Sequence, residues 1–300
     1  MTRAQAPGKV VLSGAYAVLS GAPALVTAVT RHVVVDTSRL ADFVTDEVRA
    51  ALGATPAPWF DASALRQDGR KLGLGSSAAI LVATLFALEQ EATPAASDAD
   101  LRARVFQRAL SAHRAAQGGG SGVDVASSTF GGTLSYRLLP AGPQLSPLTL
   151  PADLCLEVWS CPSSASTREL IAAVNRLAES APAEHDKWLG AQAAAATDAA
   201  ASLERADSGQ LVAALRAQHR ALGGLGDAAQ VPIVTPELLE LGPQAEREGG
   251  VLLPAGAGGG DIALFAGSGP STPTLRLALE NRGHRRLLGL GLSAEGAAKA

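Results

Sequence analysis

The chain has 300 residues and carries 25 Lys and Arg against 28 Asp and Glu, so its formal net charge at pH 7 is −3. Hydrophobic residues make up 47% and charged residues 18%, which argues against a disordered protein and suffices for a sizeable core. The charge balance gives no support for a nucleic-acid partner, whose binding surface would be basic. Two cysteines, Cys155 and Cys161, are too few for a disulfide framework, so we expect free thiols and a cytoplasmic location.

The N-terminal segment has two features of a secretory signal, the basic residue Arg3 and the apolar run 10–12. Pro7-Gly8 and Ser13-Gly14 interrupt the pattern, which favours a strand, a turn and a second strand instead. No run approaches the ~18 apolar residues that cross a bilayer, so we expect no membrane partner.

The first half of the chain alternates β-rich and helical patterns up to Tyr136. Apolar, β-branched runs predict strands, and longer apolar or amphipathic runs predict helices. The predicted strands are 10–12, 24–29, 32–35 and 134–138, and the predicted helices are 78–91 and 99–116. The segment Pro140–Pro151 contains four prolines and is interpreted as a connector between two domains, 1–145 and 146–300.

The second half begins with a predicted strand over 154–160 and continues with mainly helical patterns. Helices are predicted over 167–179, 185–206, 209–222 and 237–248, and strands over 250–253 and 262–266. Mixed helix and strand in both halves predicts an α+β fold with two domains and a functional site between them.

The first of three glycine clusters runs from Lys71 through Gly73, Leu74, Gly75, Ser76 and Ser77 to Ala78, directly before a predicted helix. Glycines let the backbone approach an anion, and a helix N-terminus offers unpaired N–H groups with a positive dipole end. The spacing is neither that of a P-loop nor Gly-x-Gly-x-x-Gly. The pattern predicts a phosphate-binding loop. The alternative is a turn in which Ser76 or Ser77 caps a core helix.

The second cluster, 118–122, precedes Val123 and Asp124. A carboxylate held in such a turn suits a general base for a hydroxyl nucleophile. On the residues alone, an ordinary helix N-cap is the favoured interpretation of Asp124.

The third cluster, Pro254–Asp261, lies between two predicted strands and is longer and richer in glycine than a simple hairpin turn. A loop that approaches a ligand closely is one interpretation, and a flexible loop is the other. Lys9 begins the first predicted strand, where a solvated surface charge is the default. The five histidines show no metal-ligand spacing.

Taken in order, these segments resemble the motifs of the GHMP small-molecule kinases. Ala6-Pro7-Gly8-Lys9 is similar to the family's opening motif, 73–79 to its nucleotide-phosphate loop, and 256–260 to its third motif. The resemblance implies a ribosomal-protein-S5-like N-terminal domain and a ferredoxin-like α/β sandwich at the C-terminus. It also implies ATP and Mg²⁺ as cofactors and a monomer or homodimer.

Within the family, the chain most resembles the phosphomevalonate kinase branch. The likeness rests on 116–126, on Tyr136-Arg137, on Ala165-Ser166-Thr167 and on Asp261. Mevalonate kinases usually have Asn where this chain has Val125, and they usually lack the acid at Asp261. The implied reaction is phosphoryl transfer from ATP to mevalonate 5-phosphate.

The resemblance also implies residue roles. Lys9 and Asp124 are the catalytic pair, and Ser77 is a candidate Mg²⁺ ligand. The ATP-binding residues are Lys71, Gly73, Leu74, Gly75, Ser76, Ser77 and Ala78. The acceptor-binding residues are Tyr16, Ser121, Gly122, Arg137, Ser166, Thr167, Gly256, Ala257, Gly258 and Asp261.

Three positions depart from the family pattern: Ala15 where many relatives carry Glu, and Leu253 and Ala255 where they often have Lys-Pro-Ser. These departures keep two alternatives open. One is mevalonate kinase or another GHMP kinase, and the other is a catalytically silent binding protein on the same fold.

Overall fold

The computed structural model describes residues 1–164 and 166–300, so Ala165 of the Ala165-Ser166-Thr167 segment lies outside the described residues. The chain divides into two compact units. The first unit comprises 1–10, 26–134 and 290–300, and the second comprises 11–25 and 135–289. Each unit combines stretches that are distant in sequence. The division into domains 1–145 and 146–300 remains a prediction of the sequence.

Strands are short apart from the first two. Those in the described residues are β1 Arg3–Ser13, β2 Ala24–Leu40, β3 Pro58–Asp61, β4 Arg66–Gln67, β5 Arg70–Lys71, β6 Thr133–Leu139, β7 Gly142–Leu148, β8 Cys155–Ser160, β9 Val251–Pro254, β10 Ile262–Gly267, β11 Arg285–Arg286 and β12 Ala298–Lys299.

Helices dominate the rest of the chain. They are α1 Asp46–Leu52, α2 Ser76–Ala92, α3 Asp98–Gln117, α4 Val123–Phe130, α5 Thr167–Ser180, α6 Pro182–Glu204, α7 Ser208–Ala229, α8 Pro236–Arg247 and α9 Pro273–Asn281, with 3-10 turns at Ala17–Ser20 and Ser63–Leu65. No helix of the described residues is long and apolar enough to cross a membrane.

In the first unit, β1 pairs with β12 and lies beside β2, and β3 pairs with β2. Helix α2 packs against α1, α3 and α4. Every residue from Ala78 to Ala87 of α2 is buried, which is why its sequence is apolar all round rather than amphipathic. The glycine loop that ends at Gly75 leads directly into this buried helix, so the helix fixes the position of the loop.

In the second unit, an antiparallel sheet in the order β11-β8-β10-β9 contacts α7 and α8. Its core is formed by side chains such as Trp159, Phe265 and Leu252. Helices α6 and α7 lie so close that a Cβ added at Gly224 would be 2.5 Å from the Trp188 ring. The second unit is therefore a helix-covered sheet.

Most predicted elements are confirmed within a few residues, and two predictions need correction. The runs 24–29 and 32–35 are parts of one strand, β2. The connector predicted over Pro140–Pro151 is wrong, because β7 occupies its middle and pairs with β6. Strand β7 lies at a sheet edge, where Pro143 and Pro147 are tolerated despite lacking an N–H.

Candidate active site

The first glycine cluster forms the turn into α2. Gly73 has φ 70° and Gly75 has φ 75°, and Gly75 is the N-cap residue in the left-handed conformation. The predicted alternative, in which Ser76 or Ser77 caps the helix, is wrong because both serines lie inside its first turn. Neither serine hydroxyl has a hydrogen-bond partner in the part of the chain that the structure describes. Both hydroxyls are therefore free to meet a ligand.

Two features of the turn require glycine at position 75: the left-handed backbone conformation and the closeness of the Lys9 side chain. A Cβ at this position would lie 2.9 Å from both Cγ and Cε of Lys9, closer than real side chains pack. The Lys9 N–H donates to the Leu74 carbonyl over 2.9 Å, which ties strand β1 to the turn. Leu74 and Ala78 are buried and anchor the turn in the core. The turn is thus shaped around the lysine stem.

Lys9 and Asp124 form an ion pair, with 3.5 Å between Nζ and Oδ2. Lys9 Nζ also lies 3.4 Å from the carbonyl oxygen of Gly73, to which it donates. The Lys9 side chain is only 12% exposed, whereas that of Asp124 is 36% exposed. A buried ammonium needs such partners because desolvation is costly. Lys9 is therefore not the solvated surface lysine that its position alone suggests.

Asp124 is held at the start of α4. The N-cap of that helix is Gly122 with φ 82°, so the N-cap interpretation of Asp124 is wrong. Asp124 lies in the first turn, where the helix dipole stabilises a carboxylate. Ser121 Oγ accepts a hydrogen bond from the Val123 N–H over 3.4 Å. Ser121 and Gly122 thus shape the turn that presents Asp124.

Helices α2 and α4 pack together, and each begins after a left-handed glycine. Two helix N-termini with a buried lysine form an electropositive arrangement suited to phosphate groups. The described residues contain no group of three His, Cys, Asp or Glu side chains that could hold a metal. Mg²⁺ in phosphate sites keeps several waters and binds few protein oxygens, and a Ser hydroxyl at a phosphate loop, the position of Ser77, is chemically compatible with it. Lys71 is exposed on β5.

Three residues near this site have no role in the sequence prediction. Gln117 Nε2 donates to Glu47 Oε1 over 3.1 Å, and an added Cβ at Gly120 would lie 3.5 Å from His113 Nε2. Gln117 and His113 thus lie beside the glycine turn that leads to Asp124, and Glu47 holds Gln117. Gln117 lies within the segment 116–126 that carries the family likeness, but no motif signals Glu47 or His113, because α1 and α3 meet only in the tertiary structure.

In the second unit, Tyr16 is 4% exposed and its hydroxyl donates to the Ala257 carbonyl over 2.7 Å. Burial raises the pKa of this hydroxyl, which therefore stays protonated. The residue predicted to touch the acceptor is thus engaged with backbone of its own unit.

The third glycine cluster is a tight loop with several left-handed residues. Gly256 and Gly258 have φ 68° and 81°. A Cβ on Gly258 would lie 2.1 Å from the Ile233 carbonyl oxygen, and one on Gly260 would lie 2.6 Å from that of Ser163. The flexible-loop interpretation is therefore wrong, since the glycines allow close backbone crossings.

Asp261 closes this loop in the left-handed conformation, with φ 58°. Its N–H donates to the Ser163 carbonyl over 3.0 Å, and its carbonyl accepts from the Cys161 N–H over 2.8 Å. Burial, with the charges of Asp261 and Glu237, raises the pKa of Cys161 to about 12. Both cysteines are free, as predicted.

The other predicted acceptor contacts lie at element ends. Ser166 is the N-cap of α5 and accepts from the Glu169 N–H over 3.4 Å, and Thr167 begins that helix. Arg137 is half-buried on β6. Within residues 1–164 and 166–300, the Arg137 guanidinium has no ion-pair partner.

Comparison with known proteins defines the class of protein. Residues 65–132 match the family model described as the GHMP kinases N terminal domain. The chain is 30% identical to the mevalonate kinase of Archaeoglobus fulgidus, over 89% of this chain and 93% of that protein. The chain therefore belongs to the GHMP kinase family, as its motifs predict.

Two further similarities concern phosphomevalonate kinases. The chain is 29% identical to that of Streptomyces sp. (strain CL190), over 86% of this chain and 88% of that protein. The Streptococcus pneumoniae phosphomevalonate kinase in complex with phosphomevalonate and AMPPNP superposes with a TM-score of 0.75, at 19% identity over 100% of both chains. This likeness confirms the two-domain α+β fold of the family.

Proposed function

We propose that the protein transfers the γ-phosphoryl group of ATP to mevalonate 5-phosphate, giving mevalonate 5-diphosphate and ADP. The observation that carries this proposal is the 3.5 Å pair of Lys9 and Asp124 beside the glycine turn into α2. Phosphoryl transfer depends on positioning and on charge neutralisation, which a buried lysine between helix N-termini supplies.

The turn Gly73–Ala78 and the N-terminus of α2 would bind the ATP phosphates through backbone N–H groups. The Ser77 hydroxyl would hold Mg²⁺, which, when bound, neutralises charge on the β- and γ-phosphate oxygens. Lys71 is exposed two residues before the turn and would add a cation at its edge.

Lys9 would stabilise the charge of the phosphoryl group in transfer. The Gly73 carbonyl and the Asp124 carboxylate hold its ammonium in place, and Gly75 leaves room for its stem. Because the Gly73 carbonyl and Gly75 are backbone positions of the turn and Asp124 is held in the first turn of α4, Lys9 needs little reorganisation during the reaction.

The role of Asp124 depends on the acceptor. An alcohol must lose a proton as the new bond forms, and a carboxylate suits that task. A phosphate acceptor is largely ionised at pH 7, since its second pKa is about 6. For mevalonate 5-phosphate, Asp124 would therefore act mainly by holding Lys9.

A phosphate acceptor needs cationic recognition, which Arg137 would supply. Its planar guanidinium can donate two parallel hydrogen bonds to phosphate, and it forms no ion pair with a carboxylate among the described residues. Ser166 and Thr167 begin α5, whose N-terminus also favours an anion.

Mevalonate kinase is the second candidate, favoured by the 30% identity with the Archaeoglobus fulgidus enzyme. It needs Asp124 as a true base. Val125 and Asp261 support the phosphorylated acceptor instead, because they resemble the phosphomevalonate kinase branch. A silent binding protein is the third alternative, and retention of Lys9 and Asp124 opposes it.

The test is coupled ADP release with Mg²⁺-ATP and mevalonate 5-phosphate, mevalonate or homoserine as acceptor. We expect a strong preference for mevalonate 5-phosphate and at least ~10³-fold slower turnover in Lys9→Ala, with ATP binding retained. Lys299→Ala, which removes an exposed lysine of β12, is the matched control.

Preference for mevalonate would overturn the proposed acceptor and restore Asp124 as the base. ADP release that is equal with and without each of these three acceptors would overturn the proposed reaction and favour another acceptor or the silent binding protein. Near-normal turnover in Lys9→Ala would remove Lys9 from the mechanism.

A further inference from the structure

We propose that Tyr16 is a positioning residue that fixes the loop 255–261 of the second unit, rather than a group that touches the acceptor. Its hydroxyl donates to the Ala257 carbonyl over 2.7 Å, and the residue is 4% exposed. A hydroxyl so placed has no free donor left for a ligand.

The remaining anchors of the loop are bonds between backbone groups. They are Ala255 N–H to Ile262 O (3.0 Å), Gly256 N–H to Val11 O (3.3 Å), Gly259 N–H to Ile233 O (2.8 Å), Asp261 N–H to Ser163 O (3.0 Å), Cys161 N–H to Asp261 O (2.8 Å) and Ile262 N–H to Gly260 O (2.8 Å). Among the described residues, Tyr16 is the one side chain that hydrogen-bonds this loop. It is therefore the anchor that a substitution can remove without altering the backbone.

The tyrosine is itself firmly held. Its ring belongs to the same buried cluster as Trp159 and Ile233, and Ala257 packs against that cluster. Because burial keeps the hydroxyl protonated, it remains a donor across the working pH range. Losing this donor would leave the Ala257 carbonyl without a partner, which weakens the loop selectively.

The kinetic consequence rests on the proposed function and on the acceptor-binding role that the family resemblance implies for 256–258. A mobile loop would bind the acceptor less well and orient it less well, so both KM and kcat would change. A tyrosine that merely touched the acceptor would leave the ligand-free loop unaltered. The two roles thus differ before any ligand is added.

The experiment is amide hydrogen exchange of the full chain without ligand, comparing the wild type with Tyr16→Phe. We expect exchange at Gly256 and Gly259 to become about tenfold faster, as loss of one hydrogen bond predicts. Ser13→Ala is the matched control, since Ser13 lies three residues before Tyr16 and donates a buried hydrogen bond to Gln218 that the substitution removes. It should leave exchange in the loop unchanged.

Unaltered exchange at Gly256 and Gly259 in Tyr16→Phe would overturn the proposal, as would equal acceleration in Ser13→Ala. With mevalonate 5-phosphate, Tyr16→Phe should lower kcat/KM about tenfold through both parameters, and an effect on KM alone would also overturn it. If the wild type phosphorylates no acceptor but the exchange result holds, the proposed function fails while the positioning role stands.

Discussion

The two units use glycine-rich loops of similar composition for different purposes. At Gly75 in the first unit, the atoms that exclude a side chain are Cγ and Cε of Lys9. At Gly258 in the second unit, the excluding atom is the backbone carbonyl oxygen of Ile233, at 2.1 Å. One loop makes room for the charged side chain that we propose as catalytic, and the other makes room for crossing backbone.

This difference separates function from stability. A lysine stem can move aside at the cost of its own placement, whereas a backbone carbonyl cannot move without displacing its segment. A Cβ at Gly75 should therefore act mainly on turnover through Lys9, and a Cβ at Gly258 should act mainly on folding stability.

The largest effect on stability is expected from Gly258→Ala. The new Cβ meets backbone, and φ 81° is unfavourable for alanine, so the free energy of unfolding should fall by about 3 kcal/mol. Gly256→Ala has a similar φ of 68° but open space around the Cβ, and should lose about 1 kcal/mol. Urea denaturation measures both, and equal losses would contradict a backbone crossing.

Gly75→Ala should act on turnover instead. Displacing the Lys9 side chain should lower kcat/KM about 100-fold in the ADP-release assay. The left-handed φ of 75° should cost about 1 kcal/mol of stability, as at Gly256. Gly69→Ala shares the strained backbone, with φ 76°, but a Cβ there would meet no atom within 4 Å. Should Gly69→Ala lose as much activity, backbone strain rather than contact with Lys9 would be the cause.

Asp124→Asn sharpens the chemical side of the comparison. Removing the base should cost about tenfold more with mevalonate than with mevalonate 5-phosphate, because only the alcohol must be deprotonated. Matched kinetics with both acceptors measure the difference. Equal losses would mean that Asp124 acts on both acceptors only by holding Lys9.

The smallest effect concerns pH and the second unit, where burial lowers the pKa of His219 and His284. Glu237 opposes that effect at His284, and Glu246 opposes it at His219 while Arg220 reinforces it. The unfolded chain then binds protons first as pH falls below about 6.5. The stabilisation that comes from keeping these two histidines neutral is therefore present above that pH. Below it, the free energy of unfolding falls by at most about 1.4 kcal/mol per pH unit for each histidine.

Thermal unfolding between pH 7.5 and 5.5 measures this fall in the free energy of unfolding. The fall should be smaller in His219→Gln, because that variant has one titrating histidine fewer. A loss of stability on raising the pH through this window would contradict the sign.

Local signals predicted much of the fold. Helix α2 was recognisable because its apolar run is long and follows glycines, and α5, α7 and α8 because of their apolar periodicity. Strand β7 was missed because four prolines in 140–151 indicate a connector, although an edge strand tolerates them. Strand β12 was missed because two residues carry no periodicity and form a strand only by pairing with β1.

For the candidate site, the motifs identified Lys9 and Asp124 but left each with an ordinary alternative. A surface lysine and a helix N-cap were the favoured interpretations of these residues in isolation. Lys9 is only 12% exposed and lies 3.5 Å from Asp124, which rules out a solvated surface lysine. Asp124 lies inside the first turn of α4, which rules out a helix N-cap. Tyr16 shows the converse case, in which a motif residue predicted to touch the acceptor is bonded to the Ala257 carbonyl.

The family, the positions of the glycine turns and most of the helices follow from the amino-acid sequence. These features depend on residue type and on spacing along the chain, which local sterics and periodicity reveal. Three features follow from folding alone. Lys9 lies between the Gly73 carbonyl and Asp124, the backbone of Gly258 crosses that of Ile233, and residues 298–299 pair with β1. Those facts depend on contacts between distant segments, and no local pattern encodes which segments will meet.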